Sequence, residues 1–324
     1  MSFTLLLISE LPEDKVFAAE VAVTAGLSLK IVGSAAEGAS VIAQEDGVVL
    51  LADVSTEKQY LALESALQSQ VGLFSDKVNP NRIHFMTSAE LEKVQYLVQS
   101  PFFGQFLLRN FTNVKEVGAH YGRIIKQSIQ ERAFGLQGYL SPQAKVQTIR
   151  LKKSSQKQDA VEAVKNFLIA GKFQSRMASA IANAVDELIM NAIYDAPVDD
   201  IGKQLFVATS RTTQIELEGK HCVDIQVGFD GQYVGIAAID LFGSLDKAKL
   251  ITHISKIYSD EEYRVRTSIA GAGIGLATVF KTGGSLLFVS ESRVKTEALV
   301  FYKRCDSYRE FKDQFRFVST QFYF

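Results

Sequence analysis

Asn183, Glu187 and Asn191 stand four residues apart within "KFQSRMASAIANAVDELIMNAIYDAP", a stretch that reads as one helix closed by Pro197. At that spacing the three share one flank, while Ile181, Ala184, Val185, Leu188, Ile189 and Ala192 make an apolar face. Two amides and a carboxylate in register offer hard oxygen ligands and a base, all pointing one way. Mg²⁺ takes such ligands, usually with few protein contacts and alongside substrate phosphates. A solvated face of a surface helix has the same pattern. Downstream, "AGAGIGLATVF" packs Gly271, Gly273 and Gly275 into five positions before turning apolar. Glycine at that density carries a conformational cost. One use that offsets it is close approach of backbone N–H groups to phosphates at a helix N-terminus. Two further acids end apolar runs: Asp53 after "GVVLLA" and Asp240 after "YVGIAAI".

A dinucleotide site is the first alternative for the glycines. It needs a hydrophobic strand, G-x-G-x-x-G, and an acid at the end of the next strand. Glu291, twenty residues after Gly271, would serve as the acid. Leu276, however, stands at the third glycine position, and the preceding "EEYRVRTS" is too charged for a buried strand. Two of three conditions fail.

The elements that must hold these residues follow from composition and periodicity. A chain of 324 residues has room for two domains with separate cores. Thirty-five basic against thirty-six acidic residues exclude a strongly basic nucleic-acid-binding surface. Cys222 and Cys305 fit no disulfide or metal-ligand pattern. The start, "MSFTLLLISELPED", has no basic leader, and no apolar run is long enough for a bilayer. A soluble, cytoplasmic protein without membrane or nucleic-acid partners is the expectation.

In the first third, "FTLLLIS", "LKIVGS", "GVVLLADV" and "RIHFMTS" read as strands alternating with helices near 14–25, 35–44 and 57–70. That rhythm predicts an open parallel sheet with its site beyond the carboxyl ends of the strands, where Glu10, Asp53 and Thr87 fall. This part resembles the receiver domains of response regulators. By that resemblance Asp53 is the phospho-acceptor position and Thr87 the switch hydroxyl. The family's acidic pair appears here as Ser9-Glu10, and its Lys-Pro as Ser100-Pro101. Phosphoryl transfer relies on cations to neutralise developing charge. The resemblance therefore implies either a working acceptor or a degenerate receiver, used for docking, whose Asp53 is a solvated strand-end carboxylate.

Residues 102–140 read as mostly helical, with Phe106, Val114, Val117, Tyr121, Ile124, Ile125 and Ile129 forming a broken stripe. Such a stripe must be buried against the first domain, the second, or another copy of the chain. The last option resembles histidine-kinase dimerisation, with His120 either a phospho-accepting histidine or a surface or packing residue. After the linker "SPQAKVQTIRLKKSSQKQ" and the long helix come strands "QLFVATS", "CVDIQVGF", "YVGIAAID" and "SLLFVSES".

The order E-x-x-x-N-A (Glu187 to Ala192), a strand ending in Asp240 near a glycine, G-x-G-x-G-L (Gly271 to Leu276), then Gly283-Gly284 before a strand resembles one ATPase superfamily. Its members are DNA gyrase, heat-shock chaperones, sensor histidine kinases and mismatch-repair proteins. The resemblance covers roughly residues 145–305. It implies ATP and Mg²⁺ as ligands, with Asn191 holding the metal and Glu187 orienting or deprotonating the attacking water or hydroxyl. Asp195 would line the adenine side, and Asp240 would accept from the adenine amino group. Gly271, Gly273 and Gly275, with Leu276, would face the triphosphate. A lid would span Gly243–Ile269, with Arg264 and Arg266 as phosphate contacts. One departure is that Asp-x-Gly-x-Gly appears as Asp240-Leu241-Phe242-Gly243-Ser244.

The sequence thus predicts an α/β chain in three parts. These are a flavodoxin-like, receiver-like parallel-sheet domain (1–104), a helical connector (105–144) that could pair two copies, and an α+β sandwich of the histidine-kinase ATPase type (145–324). The expected function is ATP·Mg²⁺-dependent signal transduction, with a kinase-like ATPase phosphorylating (on histidine or serine) or gating a partner protein. A non-catalytic scaffold built from the same two folds is the alternative. The aromatic tail after Cys305 is expected to close the core.

Overall fold

The computed structural model describes residues 3–72, 75–88, 95–98, 100, 102, 104–130, 133–206, 208–247, 250 and 274–323. The chain is mixed α/β and divides into two compact units. One comprises Met1–Ala133 with Phe315–Thr320, the other Phe134–Gln314 with Gln321–Phe324.

In the first unit β1 (Thr4–Ile8), α1 (Pro12–Ala25), β2 (Ser28–Val32), α2 (Ala35–Gln44), β3 (Val48–Asp53) and α3 (Glu57–Gln70) alternate. They are followed by β4 (Ile83–Thr87), α4 (Gln95–Val98), β5 (Gln105–Leu108) and α5 (Val114–Ser128). The strands pair in parallel in the order β2-β1-β3-β4-β5. Local chemistry sets the boundaries. Pro12 opens α1, the Ser34 hydroxyl accepts from the Glu37 amide to cap α2, and Thr56 with Gln59 forms a capping box on α3. β3 is buried from Val48 through Ala52, the continuous apolar run of a strand covered on both faces.

The segment expected as a helical connector belongs to this unit. Gln105–Leu108 is its fifth strand, and α5 lies along α1. Two glycines one turn apart permit the approach. A Cβ on Gly118 would stand 2.7 Å from Glu20 Cβ, and one on Gly122 would stand 2.7 Å from Thr24 Cβ and 3.0 Å from the Val21 carbonyl. The stripe Val117, Tyr121, Ile124, Ile125 that the sequence offered to a second copy is buried here. The chain's last strand, Phe317–Tyr323, pairs antiparallel with β5 through Phe317–Ser319, and Phe311, Phe315 and Phe317 are buried, so the aromatic tail is core.

In the second unit the order is β6 (Lys145–Leu151), α6 (Lys157–Ala170), α7 (Ser175–Met190), β7 (Val223–Phe229), β8 (Tyr233–Asp240), α8 (Ile274–Lys281), β9 (Ser285–Glu291), β10 (Lys295–Lys303) and α9 (Tyr308–Lys312). The strands pair antiparallel in the order β9-β10-β8-β7-β6. The expected strand "QLFVATS" is not one. Gln204 makes a single bridge to Val198, and the turn before it is tied by Asp199, which accepts from the amides of Ile201 (3.0 Å) and Lys203 (2.9 Å). That side chain supplies acceptors a ladder would otherwise provide. Among the described residues no helix is long and apolar enough to cross a membrane.

Gly122→Val should destabilise the protein by about 1–3 kcal/mol, because the added side chain must push the Val21 carbonyl and Thr24 apart. Chemical denaturation measures this. Unchanged or increased stability would show that α1 and α5 are not held as described.

Candidate functional site

Each unit gathers carboxylates at one end of its strands, and the two sets are compensated differently. In the first unit Asp14, in the opening turn of α1, is fully buried and accepts from the Ser9 hydroxyl at 2.6 Å. Arg109, the first residue past β5, donates from Nε to Asp14 Oδ1 (2.7 Å) and from Nη2 to both Asp14 Oδ2 and Asp53 Oδ1 (each 2.9 Å). Its Nη1 reaches the Ser55 hydroxyl at 3.0 Å. The Thr87 carbonyl accepts from the Arg109 amide at 2.8 Å, fixing where the side chain starts. Asp53 also accepts from the Ser55 hydroxyl (2.8 Å), the Ser55 amide (3.2 Å) and the Gln59 amide group (2.8 Å). Burial alone would raise the Asp53 pKa, but the hydrogen bonds from Arg109 and Ser55 outweigh it and hold the carboxyl below its ordinary value.

This corrects the expectation drawn from the strand ends. Asp53 is not solvated, its side chain being 11% exposed. Glu10 is exposed and outside the network. The second acid is Asp14, four residues further on, and the cation expected at Ser100-Pro101 is Arg109; Pro101 lies outside the described residues. The signal for Arg109 was an apolar run, "QFLL", followed by a lone basic residue. The helical pattern of the surrounding residues 102–140 masks it. His120 is buried against Phe317, and burial with nearby Arg123 keeps its pKa well below the usual imidazole value. It is a packing residue and is not at the surface.

In the second unit α7 lies over β8 and β10, with α8 against it. Its expected apolar face is buried, Asn183 is exposed, and Glu187 and Asn191 are half-buried. Past Met190 the helix widens into a π turn, Asn191–Asp195, in which the Ala196 amide donates to the Asn191 carbonyl at 2.9 Å. Such turns are frequent at functional sites. Here the turn buries Tyr194, whose hydroxyl donates in bifurcated fashion to the carbonyls of Arg211 (3.1 Å) and Thr213 (2.9 Å). Asp195 meets Arg211 Nη2 at 3.2 Å.

Glu187 Oε1 is buried with no hydrogen-bond partner among the described residues. A Cβ at Gly275, in the first turn of α8, would overlap the Glu187 carboxyl, so glycine there lets backbone lie against it. Burial raises the pKa of Glu187; Arg211 counteracts, Asp195 and Asp186 add, and a hydrogen bond from Asn191 offsets part. Burial likewise raises Asp195, with Arg211 opposing.

Asp240, 5% exposed at the end of β8, accepts from the amides of Phe242 (2.9 Å) and Gly243 (3.3 Å). Burial outweighs these bonds and one from Thr296, pushing its pKa up to about 6. Phe242, where the ATPase pattern has glycine, is buried with its ring 5.0 Å from that of His221. Gly243, at φ +57, has its carbonyl bonded by the Arg293 amide, and a Cβ there would overlap the Glu291 carbonyl. The β9–β10 turn therefore requires it. The Ser244 hydroxyl donates to the Ala196 carbonyl at 2.6 Å, joining the exit of β8 to the end of the π turn. Leu276 is buried core. Gly271, Gly273, Arg264, Arg266 and the lid from residue 251 to 269 lie outside the described residues.

These groups can hold a hydrated divalent cation. Asn191 offers a hard amide oxygen, the Glu187 carboxylate stands one turn away to bind or deprotonate a water, and the remaining positions suit water and phosphate. Among the described residues no three His, Cys, Asp or Glu side chains converge as an all-protein metal centre.

No family model matches the chain, and no curated protein matches it. Among solved structures, a chain of the SiaB-SiaC complex from Pseudomonas aeruginosa is similar over 48% of this chain and 88% of its own, at 16% identity and a TM-score of 0.31. A likeness this distant leaves the chemistry to be argued from the side chains.

Arg109→Ala should cost about 3–5 kcal/mol, because it strands a fully buried Asp14, and the double variant Arg109→Met with Asp14→Leu should recover much of that. Urea denaturation decides it; fully additive losses would contradict the bridge. Asp240 gives a pH signature. Its folded pKa of about 6 lies above the ordinary 3.8, so the folded state holds the proton longer. The Asp240 contribution to stability must then fall as pH rises from about 4 to about 6, and level off above. Asp240→Asn removes that loss, and should be more stable than wild type by about 1–3 kcal/mol at pH 7.5 but not at pH 4.

Proposed function

We propose that the second unit binds ATP·Mg²⁺ and that the first is a degenerate, flavodoxin-like receiver used for docking. On this reading the protein is a cytoplasmic signalling component whose kinase-like ATPase acts on, or gates, a partner protein. The observation that carries it is Glu187 Oε1, buried and without a hydrogen-bond partner among the described residues, beside Gly275 and one helical turn from Asn191. A carboxylate left short of donors in a desolvated place has a large unpaid solvation cost unless a ligand completes it.

The roles follow from the chemistry of each group. Asn191, with Glu187 beside it, would hold the Mg²⁺, which supplies neutralisation of phosphate charge. Glu187, its pKa raised, is poised to accept a proton from a water or hydroxyl. Asp240 is mostly ionised at neutral pH and so only accepts hydrogen bonds. It would take the amino group of adenine and reject the carbonyl that guanine presents there. Gly275, with Gly271 and Gly273 before it, would bring backbone N–H groups to the phosphates, and Asp195 would lie toward the base. The antiparallel order with helices over one face supports a sandwich of the ATPase type. In the first unit the order β2-β1-β3-β4-β5 is that of flavodoxin-like sheets, whose ligands bind beyond the carboxyl ends of the paired β1 and β3, where the chain connections reverse direction. There the guanidinium of Arg109 stands between the two carboxylates that would otherwise need a metal, and Asp53 has donors on both oxygens. That supports docking and not phosphoryl acceptance. Phe242, buried in place of a hinge glycine, favours the second reading, a scaffold that binds ATP without turnover.

Titrating the full chain with ATP, with and without Mg²⁺, while following thermal unfolding tests the proposal. At a hundredfold excess over Kd the stabilisation should be about 3 kcal/mol. Asn191→Ala should abolish its Mg²⁺-dependent part. No Mg²⁺-dependent gain with ATP would overturn the reading. Labelled ATP then separates the two versions: a kinase-like ATPase turns over in wild type and stops in Glu187→Gln, whereas a scaffold turns over in neither.

A further inference from the structure

We infer that Arg211 is a phosphate-contacting residue of this nucleotide site, reaching it from the loop between α7 and β7. The inference rests on the ATP reading of the second unit and adds a residue that no motif in the sequence marks.

Position is the first argument. The loop is pinned at Arg211 and just after it. The Tyr194 hydroxyl donates to the carbonyls of Arg211 and Thr213, so the π turn itself holds the segment. The Thr213 amide donates to the Ser210 carbonyl at 2.9 Å. Further along, the Ile215 amide donates to the Ser154 hydroxyl (2.8 Å), and the Ser154 amide donates to the Ile215 carbonyl (2.9 Å). A loop fixed this way delivers its side chain to one place at little entropic cost. That place is beside Asp195 and within electrostatic reach of Glu187.

Unused donor capacity is the second. A guanidinium has five N–H donors in a fixed fork. Arg109 spends its donors on Asp14, Asp53 and Ser55, and Arg150 holds Asp224 with two bonds of 2.8 Å. Among the described residues the Arg211 side chain makes one bond, at 3.2 Å, although it is only 32% exposed. The other nearby acid, Asp186, is taken by Lys157 at 2.6 Å. Arg211 is therefore aimed by one carboxylate, acts electrostatically on Glu187, and has no second side-chain bond among the described residues. Phosphate oxygens are the acceptors that a planar fork fits best.

Calorimetric titration of the full chain with ATP, ADP and adenosine in Mg²⁺ tests this. Arg211→Ala should weaken ATP and ADP about tenfold or more, and leave adenosine within twofold. Arg211→Lys should recover part of the loss. Arg211→Gln keeps a donor for Asp195 and thus the loop, yet should still lose ATP affinity, which separates the charge from the packing. Wild type binding ATP with no loss in Arg211→Ala would overturn the inference and leave the ATP reading intact. Equal losses for ATP and adenosine would also overturn it, making Arg211 a prop for the loop. No binding of any nucleotide by wild type would overturn both.

Discussion

A carboxylate can be taken out of water only if something replaces its hydration, and both units of this protein are organised around that constraint. The first unit meets it internally. Arg109 spans Asp14 and Asp53, so the ends of β3 and β5 and the start of α1 are held by one guanidinium. The second unit does not meet it. Glu187, Asp195 and Asp240 all have pKa values raised by burial, and one arginine with a single long hydrogen bond stands among the first two. The first cluster is closed by hydrogen bonds within the fold; the second is open among the described residues, which is what the proposed ligand would complete.

Local backbone geometry produces the difference. In the second unit α7 runs on into a π turn, which inserts one extra residue per turn and buries Tyr194, while Asp195 stays near the surface beside Arg211. The Ser244–Ala196 hydrogen bond ties this turn to the exit of β8, and Gly275 brings α8 onto Glu187. Stability lost to Asp240 at neutral pH is a cost the fold carries at a place where it would help binding.

Much of this was legible in the sequence. Alternation of apolar runs and helical stripes located β1 to β4 and α1 to α3, because buried parallel strands are nearly continuous in Val, Leu and Ala. The long helix with Glu187 and Asn191 on one flank, and Asp240 at a strand end, also follow from period and position. What escaped depends on long-range contacts. "QFLL" is too short to declare itself a strand without β4 beside it, so Arg109 went unseen and the stripe of α5 was offered to a second copy. Asp14 looks like an ordinary first-turn acid until α1 is packed. The π turn has no sequence mark, and Arg211 lies just past the stretch read as a strand, between Ser210 and Thr212.

Hydrogen bonds within the fold satisfy the acidic cluster of the first unit, whereas Glu187 Oε1 in the second has no partner among the described residues. Hydrogen–deuterium exchange on the full chain, with and without saturating ATP·Mg²⁺, tests the central claim most directly. The account predicts protection of residues 187–196, 240–247 and 274–281, and no change at Asp14, Asp53 and Arg109. Unchanged exchange across 187–196, or protection confined to the Asp53 cluster, would contradict it.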